Sequence, residues 1–435
     1  MSKKTCGPIV AWMWLLCVCL ILSGCERKLP TRDAVVAGGS MAPALLGQHY
    51  QATCSDCGYQ FAFDTKLPAD KKVVCPNCGC RDNSTENLKV QPAETAEVVP
   101  MDLTQPDSLK RGDLIAFKTP GDEKTVLVKR VVGLPGEKIR IRDGDIYVDG
   151  KLFCKPLELQ KKVRVPVFDS KYSPSDDAEL SSRMDEEAGN FVWDKFIKVH
   201  YARIAKRYGS DGTAPEQQRM TFRNWRCCRH NGLRDEFFPV EDYYAFNQDT
   251  NRNLNPTDEL YIRLEMDCLP EGTIFLANPH SGIRYKFSLD FKSHAATISS
   301  PLGVYDCELS EEIKGSRNMV IEVSTIDHTL VVLVDGVEAF RHDVFRPESV
   351  ADVAKVTFAV AFPKRDAKIN RVQIWRDIYY LNEGPFFVDD AKREFVAGEN
   401  EVILLGDNSP VSSDSRHWEN PAINTKQIIG KVVPN

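Results

Sequence analysis

A mainly β chain is predicted by three features of the 435-residue sequence. Short runs of β-branched and apolar residues recur with period-two alternation. Turn pairs such as Asp143-Gly144, Asp149-Gly150 and Asp335-Gly336 separate several of them. The second half of the middle region carries strand after strand with no helical stripe between them. The length exceeds one ordinary core and implies two or three domains. A hydrophobic share of 42% and a charged share of 27% belong to a folded globular protein. The formal net charge of −6 is spread along the chain with no basic stripe, so a nucleic-acid partner is not expected.

Residues 1–25 read as an address. Lys3 and Lys4 precede an apolar run, Ile9 to Leu22, that is shorter than the about 20 residues of an ordinary membrane span. Its ending, Leu22-Ser23-Gly24-Cys25, resembles a lipobox, in which Cys25 would be lipidated after cleavage. A retained membrane anchor and a lipoprotein-type signal are both open. Either holds the rest of the chain outside the cytoplasm at the membrane.

Residues 26–47 end in Gly38-Gly39-Ser40-Met41-Ala42-Pro43-Ala44-Leu45. Glycines before a serine let a substrate approach the backbone, and the serine amide can face an oxyanion. An ordinary loop serine has the same local appearance. Residues 48–90 hold Cys54-x-x-Cys57, a spacer of seventeen residues, and Cys75-x-x-Cys78, with Gly58 and Gly79 after the pairs. That spacing suits a tetrahedral structural zinc of the zinc-ribbon kind. Two disulfides are the alternative in an oxidising compartment. Cys80 is the spectator of the group.

Residues 91–155 pass from a polar linker into strands, among them Leu114-Ile115-Ala116-Phe117 and Thr125 to Val132. Lys129 lies in the second, between Val128 and Arg130. Lysine on a strand usually faces water. Desolvation among apolar neighbours would instead lower its pKa and make it a general base for a hydroxyl nucleophile. Residues 156–385 are an inserted region with a jelly-roll-like sandwich at about 256–382. The "Val-Asp-Gly" hairpin and strand order loosely resemble laminin-G or concanavalin-like folds. Residues 386–435 return to the style of 111–151, with Gly406-Asp407-Asn408 and Ser412-Ser413-Asp414-Ser415-Arg416 as polar loop blocks. Asp414 and Arg416 are a plausible buried pair.

Four blocks resemble type I signal peptidases, in the order of that family. They are Ser40 to Leu45, Arg111 to Leu114, Lys129 to Glu137, and the two loop blocks from Gly406 to Arg416. The resemblance covers about residues 9–47, 101–155 and 385–435 and implies a signal-peptidase-type β fold with an N-terminal membrane anchor, interrupted by the zinc ribbon and the sandwich. It implies a serine endopeptidase at the cytoplasmic (inner) membrane, its catalytic part facing the periplasmic or extracytoplasmic side. Ser40 would be the nucleophile and Lys129 the base, with an acyl-enzyme and no catalytic cofactor. Ser412 would orient the lysine, Asp414 and Arg416 would form a structural pair, and Asp407 and Asn408 belong to the supporting loop. The Ser40 amide would serve the oxyanion, and Gly38 stands where some members place a serine that adds a second donor. Ala44 departs from the more usual threonine or serine. The substrates implied are preprotein signal peptides with small residues at −1 and −3. The sandwich would bind an envelope glycan or protein, or cap the peptidase. The rival reading is a non-catalytic envelope lipoprotein with a binding sandwich, which leaves the ordered blocks unexplained. A self-cleaving regulator with the same dyad would carry a DNA-binding segment where this chain has its apolar run.

Overall fold

The computed structural model describes residues 31–67, 71–103, 108–119, 122–172, 184–185, 217–224, 239–280, 283–300, 303–344, 356–363, 365–382 and 393–435. The expected anchor and Cys25 lie outside these residues. No helix among the described residues is long and apolar enough to cross a membrane.

The chain is mainly β. One antiparallel sheet of seven strands gathers pieces far apart in sequence. Its order is Arg32–Val35, Thr95–Val99, Ile428–Pro434, Leu114–Thr119, Asp122–Gly133, Glu401–Leu405 and Ala422–Asn424. The C-terminal strand pairs Lys431 with Val99 on one side and with Ile115 on the other. Leu405 pairs with Arg130 beside the lysine position. Hydrogen bonding thus joins the three segments that the two intervening regions separate.

The run Leu114-Ile115-Ala116-Phe117 is apolar at every position because both faces of its strand are covered. Leu114 and Ala116 pack with Met41 and Leu45, while Ile115 and Phe117 pack with Val131 and Leu404. Each such buried aliphatic or aromatic side chain contributes about 1.5–3 kcal/mol. A four-stranded sheet follows, ordered Lys151–Leu152, Asp145–Val148, Lys138–Arg142, Phe395–Val396. Its two tight turns use Asp143 and Gly144 (φ 53° and 94°) and Asp149 and Gly150 (φ 49° and 81°). Positive φ at both central residues gives the twist of a two-residue hairpin, which is why Asp-Gly marks them.

The middle region forms two stacked antiparallel sheets. One has six strands, ordered Val165–Asp169, Ala367–Arg376, Leu260–Cys268, Met319–Ser324, Thr329–Val334, Val337–Asp343. The other has seven, with Gln217–Arg223, Val356–Pro363, Thr273–His280 and Ile283–Asp290 at its centre. Leu260, Ile262, Leu264 and Met266 from the first share one core with Phe358, Val360, Phe362 and Phe287 from the second. The sandwich draws strands from before residue 256, earlier than the sequence pattern suggests. Val165–Asp169 carries Pro166 and a register shift, which suits an edge strand. Gln217–Arg223 is polar along much of its length, so no period announces it.

Residues 49–91 make a small sheet, Gln60–Asp64 and Val90–Gln91 on either side of His49–Thr53. It packs beneath a single 3-10 turn, Ala245–Asn247, that belongs to the middle region.

Candidate active site

Ser40 sits on a loop held at both ends. Before it, the strand Arg32–Val35 pairs with Thr95–Val99. After it, Met41, Ala42 and Leu45 are at most 1% exposed and anchor the loop in the core. Its carbonyls are pinned from above: the Asn408 amide N–H donates to the Ser40 carbonyl at 3.0 Å, and Asn408 Nδ2 to the Gly39 carbonyl at 2.9 Å. Gly38 is exposed, and a Cβ there would have open space around it. Gly39 has none, because a Cβ would collide with the Phe246 ring.

Lys129 reaches this loop from the sheet. Its strand pairs it with Ile115, and its Nζ donates to Ser40 Oγ at 2.8 Å. The side chain is 2% exposed. Burial pushes its pKa down to about 8, opposed by the charges of Asp414 and Asp407 and reinforced by that of Arg416. A lysine near pH 8 is neutral often enough to take a hydroxyl proton, and the contact is already hydrogen-bonding distance. Arg130, next in the strand, points elsewhere and grips Asp407 with Nε–Oδ1 2.7 Å and Nη2–Oδ2 2.5 Å. Both members of that ion pair are buried.

The loop 406–416 covers the other side. Asp414 is fully buried and accepts from Arg416 Nε at 2.8 Å and Nη2 at 2.7 Å, and from the Gly406 amide at 2.9 Å. Burial alone would raise the Asp414 pKa, but the Arg416 guanidinium and these hydrogen bonds hold it well below the usual carboxylate range. Arg416 also donates to the carbonyls of Leu381 and Ser409. The loop is thereby stapled to the end of the middle region. Ser412 is buried, and its hydroxyl has no hydrogen-bond partner. The expected Ser412–Lys129 bond is not made in this geometry, where Lys129 Nζ is directed to Ser40 instead. Gly406 separates Ser412 from Ser40, since a Cβ there would run into Ser412 Oγ and lie 2.7 Å from the Ser40 carbonyl.

Three contacts were not legible in the sequence. Asn247 exchanges side-chain hydrogen bonds of 2.6 and 2.9 Å with Asn408. Phe246 packs on Gly39. Arg130 holds Asp407. The first two lie in a stretch with weak periodicity, and only an Arg-Asp complementarity could have hinted at the third.

Cys54, Cys57, Cys75 and Cys78 come together, buried, in a small core that also holds Ala245. Cys54 and Cys78 Sγ lie 3.5 Å apart, and Cys57 and Cys75 Sγ 3.7 Å. A disulfide needs about 2.05 Å, while the edge of a tetrahedron with zinc–sulfur bonds of about 2.3 Å is about 3.8 Å. Each pair forms the same knuckle: the Gly58 amide donates to the Cys54 carbonyl at 3.0 Å, and the Gly79 amide to the Cys75 carbonyl at 2.9 Å. The four thiols therefore fit a single tetrahedral metal. Cys80 stands aside, 3.7 Å from Ser55 Oγ. Gln248, next to Asn247, bonds both the amide and the carbonyl of Val74, beside Cys75.

Comparison with known proteins adds the family. The model for "Signal peptidase, peptidase S26" matches residues 9–280, more than half of the chain. This chain belongs to the peptidase S26 family. Among curated signal peptidases, Signal peptidase I V of Bacillus subtilis is 49% identical over 49 residues, 11% of this chain and 28% of that protein. Signal peptidase I of Rickettsia typhi is 43% identical over 42 residues, 10% of this chain and 16% of that protein. The chain thus spans less than a third of the length of these curated relatives. Among solved structures, a galectin of Caenorhabditis elegans matches 27% of this chain and 83% of its own at 8% identity and TM-score 0.21. A carbohydrate binding module from Bacillus subtilis matches 38% and 81% at 7% identity and TM-score 0.20. Likeness at that level says nothing about what the two-sheet region does.

Proposed function

We propose that this S26 peptidase is a signal peptidase I, a serine endopeptidase that cleaves signal peptides from exported preproteins with Ser40 as nucleophile and Lys129 as base. The observation that carries the proposal is the 2.8 Å contact from a buried, pKa-lowered lysine to a serine on a pinned loop. The neutral amine accepts the Ser40 proton as Oγ attacks the scissile carbonyl. The developing oxyanion faces the Ser40 amide and the open space beside Gly38. Collapse expels the new amino terminus, which takes the proton from Lys129, and leaves an ester on Ser40. Lys129 then deprotonates a water, which hydrolyses the ester and restores the serine.

Supporting groups set the electrostatics. Asp414–Arg416 fixes the 406–416 loop, and Arg130–Asp407 fixes its first turn to the lysine strand. Ser412, buried without a partner, is available to the ammonium once Ser40 is acylated. In this reading the core is a signal-peptidase-type β fold made of residues 26–47, 91–155 and 386–435. A zinc-ribbon-like unit at 48–90 and a sandwich-containing region at 156–385 interrupt it, with residues 1–25 as membrane anchor or lipoprotein-type signal. The four cysteines would hold a structural zinc that takes no part in the chemistry. The catalytic part would face the extracytoplasmic side of the membrane. The sandwich would present a docking surface to an envelope glycan or protein.

The test is cleavage of a preprotein bearing Ala at −1 and −3. Mass analysis should find the cut directly after the −1 residue, and a bulky residue at −1 should block it. Cutting that ignores the −1 and −3 residues would contradict signal-peptide specificity.

A further inference from the structure

Where the hairpin strand Asp145–Val148 meets the two-sheet region, four carboxylates converge. Asp145, Glu259, Asp327 and Asp377 each offer an oxygen within 4.8 Å of the others, and none is more than 7% exposed. They come from four separate places: the hairpin, the entry to Leu260–Cys268, the turn before Thr329–Val334, and the exit of Ala367–Arg376. Lys155 shares the cluster. Its Nζ bonds Asp327 and lies 2.8 Å from Asp377 Oδ2, and its backbone amide donates to Asp327 Oδ2 at 2.7 Å. His328 Nε2 lies 3.9 Å from Asp145 Oδ2.

The charges do not balance. Four carboxylates, if all ionised, outnumber the Lys155 ammonium and the buried Arg376 guanidinium that acts on Asp377, and buried charge without compensation costs several kcal/mol per ion. Glu259 Oε1 and both carboxylate oxygens of Asp377 are buried with no hydrogen-bond partner, Asp377 Oδ2 having only its ion pair with Lys155. Burial and the neighbouring carboxylates push Glu259 well above its ordinary range, and burial, first, pushes Asp377 up to about 6. Either protons or a cation must relieve the excess. The geometry admits a cation: no two of the four oxygens are further apart than 4.8 Å, so all of them can reach one ion at about 2.4 Å.

We propose that Asp145, Glu259, Asp327 and Asp377 bind a hard divalent cation of the calcium or magnesium class, which clamps the two-sheet region to the peptidase hairpin. The carboxylate donors select such ions, whereas the thiolates of the cysteine cluster select soft ones, so the two sites do not compete. A divalent ion offsets two of the excess negative charges. Nothing in this proposal rests on Ser40 or Lys129.

The test uses the full chain, prepared in buffer stripped of calcium and magnesium without a chelator. Calcium chloride and magnesium chloride are titrated separately by calorimetry and by thermal unfolding. One of them should bind saturably at one ion per chain and raise Tm. Glu259→Gln and Asp145→Asn should each abolish both the heat and the shift. If neither ion produces heat or a shift in the wild-type chain, the carboxylates share protons and the proposal is overturned. A response that survives in both variants would place the ion elsewhere and overturn it equally. Should one variant fail to fold, the other decides where the ion sits, with the more conservative Asp377→Asn as a third test of the same set.

Discussion

Lys129 carries the central conflict of the residue scale, between stability and chemistry. Its folded pKa of about 8 lies below the ordinary 10.5. Between those values the unfolded chain binds the proton and the folded chain does not, so stability rises with pH through that window and the cost is fully present below it. The cost at pH 7 is on the order of 3 kcal/mol. Lys129→Met should therefore raise Tm at pH 7 while removing peptidase activity, and thermal unfolding beside a cleavage assay checks both. The same titration sets the rate. If Lys129 is the base, kcat/KM should climb about tenfold per pH unit below about 8 and level above it. A profile flat from about pH 6 to 9 would exclude it. Neither Ser40 nor Lys129 is distinctive alone, since loop serines and strand lysines are common. They became legible through the blocks flanking them and the order of those blocks. The burial that lowers the lysine pKa was only partly legible, as it depends on Ser40, Asp414 and Arg416 arriving from far along the chain.

Elements built from local chemistry were the most readable. The three Asp-Gly pairs each close a two-residue hairpin, because that pair tolerates the positive φ values required. Each Cys-x-x-Cys knuckle closes for the same local reason, on a glycine with positive φ. The turn Ala245–Asn247 was not readable, because its role comes wholly from tertiary contact. Asn247→Ala leaves Asn408 short of both buried hydrogen bonds to it, a loss of about 1–3 kcal/mol for each group left unpaired. It should loosen the Gly39 and Ser40 carbonyls and lower kcat/KM by about tenfold or more, whereas Asn247→Gln should retain part of the activity. Gly406→Ala has no room, with the Ser40 backbone on one side and Ser412 on the other. Such overpacking costs about 1–3 kcal/mol, and activity should fall more than stability. The cysteine unit should hold one zinc ion per chain by metal analysis. Cys57→Ser should lose it, and Gln248, which links Val74 to the turn under Ser40, should pass part of that loss to the cleavage rate.

At the scale of the whole molecule, one sheet is assembled from three separated segments while two other regions are built between them. The sequence could separate these parts by composition because strands, cysteine knuckles and polar linkers look different. It could not show that Val165–Asp169 and Gln217–Arg223 join the two-sheet region, as strand pairing across well over a hundred residues leaves no local period. Nor could it show that the middle region sends Phe246 to the serine loop and Asn247 to Asn408, or that Arg416 anchors its own loop on Leu381. Removing the middle region should therefore cost more than a binding surface: a chain lacking it should lose the Asn247 and Leu381 contacts and cleave poorly even if it folds. The most direct measurement of the account is cleavage of a preprotein by the purified full chain beside its Ser40→Ala variant at pH 8. A Ser40–Lys129 dyad predicts a mature product from the wild-type chain and none from the variant, with both unfolding at similar temperatures. Equal processing by the two would contradict it.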